Sequence, residues 1–230
     1  MIEAVIFDLD GVLVDSEHIW DEVREELALE RGGHWHDGAQ ADMMGMSSKE
    51  WPRYMHDVIG VSESPEEINA EVVRRMEARY AQHLPLIDGA DEAVHRLASS
   101  FRLALASSSN RPVIDAVLAK AGLAEAFEVT VSSEEVARGK PAPDVFLEAA
   151  RRLEVAPERC AAIEDSGNGI RAAHAAGMRV IAIPNRRYPP PTEVLGLADI
   201  ALESLVELSA AVLAGGAGPA GPPSSSPRPA

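Results

Sequence analysis

Five short apolar runs punctuate the chain: Ala4–Phe7, Leu103–Ala106, Val129–Val131, Cys160–Ile163 and Val180–Ile183. Each is apolar on both faces, as expected for strands of a parallel sheet covered by helices on either side. Helical spacing fills most of the intervals. Phe146, Ala149, Ala150 and Leu153 fall at i, i+3, i+4 and i+7; Ile114, Val117, Leu118 and Ala121 do the same, with Gly122 as a stop. Strand and helix in alternation predict an α/β sandwich.

One region breaks the rhythm. Between Asp15 and Pro85 there are helical stripes (Ile19, Trp20, Val23, Leu27; then Ile68, Val72, Met76, Tyr80) and no strand pattern. So long a stretch after the first strand predicts an inserted helical cap, residues 15–85, between two pieces of one core domain, 1–14 and 86–213. All three tryptophans (Trp20, Trp35, Trp51) fall in the insert and are expected mostly to form its own small core. From Ala214 to Ala230 the chain is Gly, Pro, Ser and Ala apart from Arg228, a composition that predicts a disordered tail.

Charge narrows the function. The net charge is −16 at pH 7, which repels phosphate backbones and anionic lipid, so neither nucleic acid nor membrane is an expected partner. A single cysteine, Cys160, excludes a disulfide framework and a cysteine-built zinc site, and is expected to be an inert core residue. The N-terminal residues lack the pattern of a signal peptide and no apolar run is long enough to span a bilayer, so the default location is the cytoplasm. Monomer is the default oligomeric state.

The chemistry collects where the strands end. The first strand runs into Asp8-Leu9-Asp10-Gly11, the second ends at Ser107-Ser108-Ser109-Asn110, Gly139-Lys140-Pro141 follows the third, and the fourth ends at Glu164-Asp165-Ser166-Gly167. In an open parallel sheet these ends share one edge, where ligands bind. Asp8, Asp10, Glu164 and Asp165 would crowd there, and like charges so close raise each other's pKa unless a cation intervenes. Hard oxygen donors without soft ones point to Mg²⁺, with a phosphate as the usual companion. Asp8, expected to be ionised at neutral pH, could then attack phosphorus without a base, with Ser107 and Lys140 holding the phosphoryl oxygens. Asp10 could protonate the leaving oxygen and later activate water. The turn Ser166-Gly167-Asn168-Gly169 should lead into a helix whose N-terminus favours negative charge.

Asp8-Leu9-Asp10-Gly11-Val12-Leu13-Val14-Asp15-Ser16 resembles the signature of the haloacid dehalogenase superfamily, and more narrowly its β-phosphoglucomutase and sugar-phosphate phosphatase group. Ser107, Lys140-Pro141-Ala142-Pro143-Asp144 and Ile163-Glu164-Asp165-Ser166-Gly167-Asn168-Gly169-Ile170 match the group's later motifs in order. The resemblance implies a Rossmann-like parallel-sheet core with an α-helical cap. It implies Mg²⁺ on Asp8, Asp165, Glu164 (directly or through water) and the Asp10 backbone carbonyl, and phosphate on Ser107, Ser108 and Lys140. Gly11 to Ser16 would be the hinge that lets the cap close.

Each residue has a plainer reading alone. Asp8 and Asp10 could be turn residues, Lys140 a solvated lysine, Ser107–Ser109 a helix cap; together they would need several coincidences. His34-Trp35-His36-Asp37 has metal-binding residue types but reads better as a cap loop. The cap must select the substrate. β-Phosphoglucomutases carry a Lys-Gly-x-Ser-Arg stretch and a histidine five residues after the Asp15 position; here stand Met44-Gly45-Met46-Ser47-Ser48 and Trp20. Lys49, Arg53 or His18 could substitute. Asp15-Ser16-Glu17-x-x-Trp20 looks more like the hexose- and hexitol-phosphate phosphatases. The expected activity is hydrolysis of a small phosphorylated sugar or polyol, with Trp20, Gly45, Ser47, Ser48, Lys49 and Asn110 as candidate substrate contacts. A β-phosphoglucomutase-type phosphomutase is the alternative, and an idle core kept for protein binding the third reading.

Overall fold

The structure, a computed structural model, describes residues 1–44 and 46–214. Gly45 and most of the expected tail, residues 215–230, lie outside the described residues. A six-stranded parallel sheet runs in the order β3-β2-β1-β4-β5-β6. Its strands are β1 (Ala4–Phe7), β2 (Arg102–Ser107), β3 (Val129–Ser132), β4 (Cys160–Glu164), β5 (Arg179–Ala182) and β6 (Ile200–Ala201). The first five coincide with the apolar runs. The sixth has two residues, too few for a periodicity to register, and was not expected.

Side chains alternate between the faces, as the period-2 pleat demands. Val5, Phe7, Leu103, Leu105, Ala161 and Ile163 pack on one side; Ala4, Ile6, Ala104, Ala106, Cys160 and Ala162 pack on the other. Cys160 is fully buried, and burial pushes its thiol up to about 11, so it is the inert residue expected.

Between β1 and the core helix lie α1 (Glu17–Glu30), α2 (Ala39–Met43), α3 (Trp51–Asp57) and α4 (Pro65–Gln82), with no strand among the described residues. Ser64 and Glu67 close a reciprocal capping box at the start of α4, with Pro65 following. The insert does not have a separate core. Trp20, Trp51, Met55, Val72 and Tyr80 belong to the same buried cluster as Phe7 and Leu105, because α4 packs on the helix Arg111–Ala121 of the sheet domain. His36 is tied to the Tyr54 hydroxyl at 3.0 Å, and no metal-ligating group forms around it among the described residues.

The remaining helices are α5 (Ala90–Ala98), α6 (Arg111–Ala121), α7 (Asp144–Arg152), α8 (Gly167–Ala175), α9 (Thr192–Leu195) and α10 (Ala210–Leu213). α6 stops at Gly122 with φ of 71°, as its spacing predicted. The Gly167-Asn168-Gly169 segment is the first turn of α8, not a turn before it, because Ser166 caps that turn by accepting from the Gly169 N–H. Among the described residues, no helix is long and apolar enough to cross a membrane.

Candidate active site

The sheet order reverses at β1, which has β2 on one side and β4 on the other. That is the switch point where a crevice opens beyond the strand ends. Register does the rest. Phe7 pairs with Ile163, so the next residues, Asp8 and Glu164, emerge side by side, and the Asp8 N–H donates to the Ile163 carbonyl at 3.0 Å.

Lys140 reaches this point from the loop after β3. Its Nζ lies 2.8 Å from Asp8 Oδ1 and 2.6 Å from Glu164 Oε1, with the Phe146 ring centroid 4.9 Å away. All three charged groups are buried. Burial works to neutralise the ammonium, but the two carboxylates overcome it and hold Lys140 above its ordinary value. Asp8 shows the opposite balance. Burial pushes it up to about 8, Lys140 pulls it down, and Glu164 and Asp10 push it further up. A buried carboxylate beside two others is thus held above its ordinary value by more than one lysine offsets.

Oxygen atoms of Asp8, Glu164 and Asp165 lie within 4.8 Å of one another. Three carboxylates against one ammonium leave an excess of two negative charges, which a divalent cation would balance. Asp165 lies well above its ordinary value, chiefly through burial and then Glu164 and Asp8, and its buried Oδ1 has no partner. Its Oδ2 accepts from Asn185 Nδ2 at 3.2 Å. Glu164 is more occupied: Oε1 accepts from Lys140, and Oε2 from the backbone N–H groups of Asp165 and Ser166 and the Ser166 hydroxyl. The orphaned oxygen, the hard donors and the charge excess fit Mg²⁺, with Asp165 and Asp8 the freer ligands.

Two glycines make room for these groups. A Cβ on Gly169 would fall 1.8 Å from Glu164 Oε1, and one on Gly11, whose φ is 77°, would fall 1.9 Å from Asp165 Oδ2.

Asp10 stands apart from the carboxylate trio, held by donors from both parts of the chain. Ser16 Oγ and Trp20 Nε1 donate to its Oδ1 at 2.6 and 3.0 Å, and Ser109 Oγ donates to its Oδ2 at 2.6 Å. Ser16 consequently makes no side-chain cap for α1.

A cavity of about 50 Å³ joins these elements. Asp8, Asp10, Ser108, Ser109, Lys140 and Asp165 face it from the core, and Glu17, Trp20, Arg24, Met43 and Trp51 from the insert. Ser107 is fully buried and does not line it; its hydroxyl accepts from the Ser109 N–H at 2.9 Å, shaping the loop that presents Ser108 and Ser109. Asn110 also lies off the cavity, donating to Asn69 of α4 and to Glu134. Ser47 accepts nothing from the cavity: its N–H and hydroxyl donate to Glu50, while Ser48 pairs with Ser133 of the core at 3.2 Å. Lys49 and Arg53 are exposed and do not line it.

Sequence reasoning missed Glu17, Arg24, Ser109 and Asn185. Asn185 follows β5 closely and yields to the same rule of strand ends. Glu17 is legible only as part of the Asp15-Ser16-Glu17-x-x-Trp20 pattern, and Arg24 carries no such signal. Burial, then the charge of Asp10, pushes Glu17 up to about 7; burial brings Arg24 down to about 10 against the pull of Glu17.

Residues 2–177 match the family described as haloacid dehalogenase-like hydrolase. The chain belongs to that family. It is 33% identical over 226 residues to hexitol phosphatase B of Escherichia coli (strain K12), covering 93% of this chain and 97% of that protein. It is 32% identical over 207 residues to the bifunctional riboflavin kinase/FMN phosphatase of Arabidopsis thaliana, covering 89% of this chain but only 54% of that longer protein. A crystal structure of a CbbY mutant from Rhodobacter sphaeroides in complex with xylulose-(1,5)bisphosphate superposes with a TM-score of 0.80 at 32% identity, over 90% of this chain and 96% of that one. The expected family, the parallel-sheet fold and the class of phosphoric monoester hydrolase are borne out by this family membership and these similarities.

Proposed function

We propose that this haloacid dehalogenase-like hydrolase is a Mg²⁺-dependent phosphatase of a small phosphorylated sugar or polyol, working through an aspartyl phosphate on Asp8. The observation that carries this reading is the buried Asp8 carboxylate, 2.8 Å from Lys140 and grouped with Glu164 and Asp165, facing a cavity it shares with Asp10. The cation, when bound, supplies the positive charge that keeps Asp8 ionised and offsets charge on the phosphoryl oxygens.

An Asp8 oxygen attacks phosphorus in line as the bond to the substrate's bridging oxygen breaks. Asp10 gives its proton to that oxygen, and the alcohol leaves. Asp10 then takes a proton from water, which attacks the phosphoryl group and frees Asp8 and phosphate. Lys140 and the Ser108 hydroxyl, which has no partner among the described residues, are the donors for the transferring oxygens. Ser16 and Trp20 tie the orientation of Asp10 to the position of the insert, so the proton donor is set only when the insert covers the site. The cavity of about 50 Å³ is far below the roughly 300–1,000 Å³ of small-molecule pockets. A sugar phosphate therefore enters after the insert swings away.

The test is phosphate release by the purified protein with Mg²⁺ over sugar, polyol, glycolate and nucleotide monophosphates. Release from a sugar or polyol phosphate, abolished by Asp8→Asn, is the expected result. No release from any ester would end the proposal. Isomerisation of β-glucose 1-phosphate stimulated by a bisphosphate would replace hydrolysis with the mutase reading.

A further inference from the structure

The roof of the cavity contains two opposite charges, Glu17 and Arg24, that the reaction does not use. Glu17 and Arg24 lie seven residues apart on α1, two turns along one face, and both line the cavity. Gln40 of α2 links them: its Nε2 donates to Glu17 Oε2 at 2.9 Å, and its Oε1 accepts from Arg24 Nη1 at 3.1 Å. The Arg24 guanidinium sits over the rings of both Trp20 and Trp51, 4.7 and 4.8 Å from their centroids.

Stacking explains why the guanidinium is held flat. It does not explain the hydrogen bonds left open. Arg24 is 6% exposed, yet its buried Nε–H has no partner among the described residues. No hydrogen bond engages Glu17 Oε1 there either. Two residues that line the cavity beside Asp8 and Asp10 thus keep a donor and an acceptor unspent.

We propose that Glu17 and Arg24, positioned by Gln40, read the uncharged, hydroxyl-bearing end of a phosphate monoester and disfavour a second phosphate. This rests on the phosphatase reading and names its specificity residues. A hydroxyl both gives and accepts, so a carboxylate beside a guanidinium satisfies neighbouring hydroxyls without excess charge. A phosphate needs surplus positive charge. Here the charge of Arg24 is already answered by Glu17, Asp10 lies across the same cavity, and Lys49 and Arg53 are exposed outside it. A second phosphate in the roof would meet the Glu17 carboxylate.

The test compares the parent protein with Glu17→Gln and Arg24→Met at pH 8 with Mg²⁺, on a hexitol monophosphate and a hexose bisphosphate. The parent should favour the hexitol monophosphate in kcat/KM. Glu17→Gln should raise KM for it about tenfold and shrink the monophosphate preference by a similar factor, the scale of one hydrogen bond to a charged group. Arg24→Met should raise the same KM with a smaller change in kcat. Binding is read separately by tryptophan emission on Asp8→Asn protein titrated with each ester, since Trp20 and Trp51 flank Arg24. A parent preference for the bisphosphate, or a preference unchanged within twofold by Glu17→Gln, would overturn the proposal. Should Arg24→Met lose its fold with its stack, Glu17→Gln, which keeps the side-chain shape, decides alone. Should the parent hydrolyse no ester, the phosphatase reading fails. The ratio of the two affinities by emission, with and without Glu17→Gln, then decides this proposal in the same two directions.

Discussion

Replacing Lys140 by methionine removes one ammonium from a buried site and keeps much of the side-chain volume. The lysine touches Asp8 at 2.8 Å and Glu164 at 2.6 Å. At an effective dielectric constant of about 20, each contact represents about 6 kcal/mol of attraction before desolvation is subtracted. Breaking a buried pair by removing one partner leaves a net cost of about 3–5 kcal/mol, because the orphaned carboxylates stay desolvated. Urea unfolding of both proteins in a chelator, at pH 5, 7 and 9, measures it. The pH dependence has a definite sign. Folded Asp8 is raised to about 8, while the unfolded carboxyl titrates at about 3.9. Between those values the folded state binds more protons, so stability falls as pH rises. Without Lys140, Asp8 rises further, and the fall extends to higher pH. The deficit of Lys140→Met should therefore be largest at pH 9, at about 3–5 kcal/mol, and smallest at pH 5, where protons do part of the lysine's work. A deficit that is flat from pH 5 to 9, or below about 1 kcal/mol at pH 9, would refute the reasoning.

Gly169→Ala places a methyl group against the Glu164 carboxylate, 1.8 Å from Oε1, and should cost about 1–3 kcal/mol as overpacking and slow phosphate release; an unchanged melting temperature and rate would count against the packed carboxylate site. Mg²⁺ should raise the melting temperature, and a chelator should abolish turnover. Because Asp8 and Asp165 are both raised and must lose protons to bind a cation, Mg²⁺ affinity by calorimetric titration should tighten from pH 6 to pH 8. An affinity independent of pH would contradict that coupling.

The sheet and the carboxylate cluster were legible in the chain because each follows from local pattern. A strand buried on both faces must be apolar throughout, so β1 to β5 were visible, whereas β6, with two residues, was below the length at which pattern exists. Parallel strands deliver their ends to one edge, which is why Asp8, Lys140, Glu164 and Asp165 could be brought together from sequence, and register then set Asp8 beside Glu164. The ionisation of Asp8 was not legible, since it depends on how completely the surrounding fold excludes water. Nor was the loop after β2 in detail: Ser107 turns inward to brace the backbone and leaves the cavity wall to Ser108 and Ser109.

The insert divides along the same line. Its helices were written in the spacing of Ile19, Val23 and Leu27 and of Ile68, Val72 and Met76. Glu17 entered the sequence reading only within the Asp15-Ser16-Glu17-x-x-Trp20 pattern, and Arg24 did not enter it. Only the packing of α1 over the strand ends buries Arg24, half-buries Glu17 and sets both on the cavity wall, and only the fold brings Gln40 between them. Local periodicity fixes which backbone a segment prefers, but the neighbour met by a polar face is set by contacts distant in the chain. Local pattern thus determined which carboxylates meet at the strand ends, while the groups of the insert that line the cavity were decided by tertiary packing.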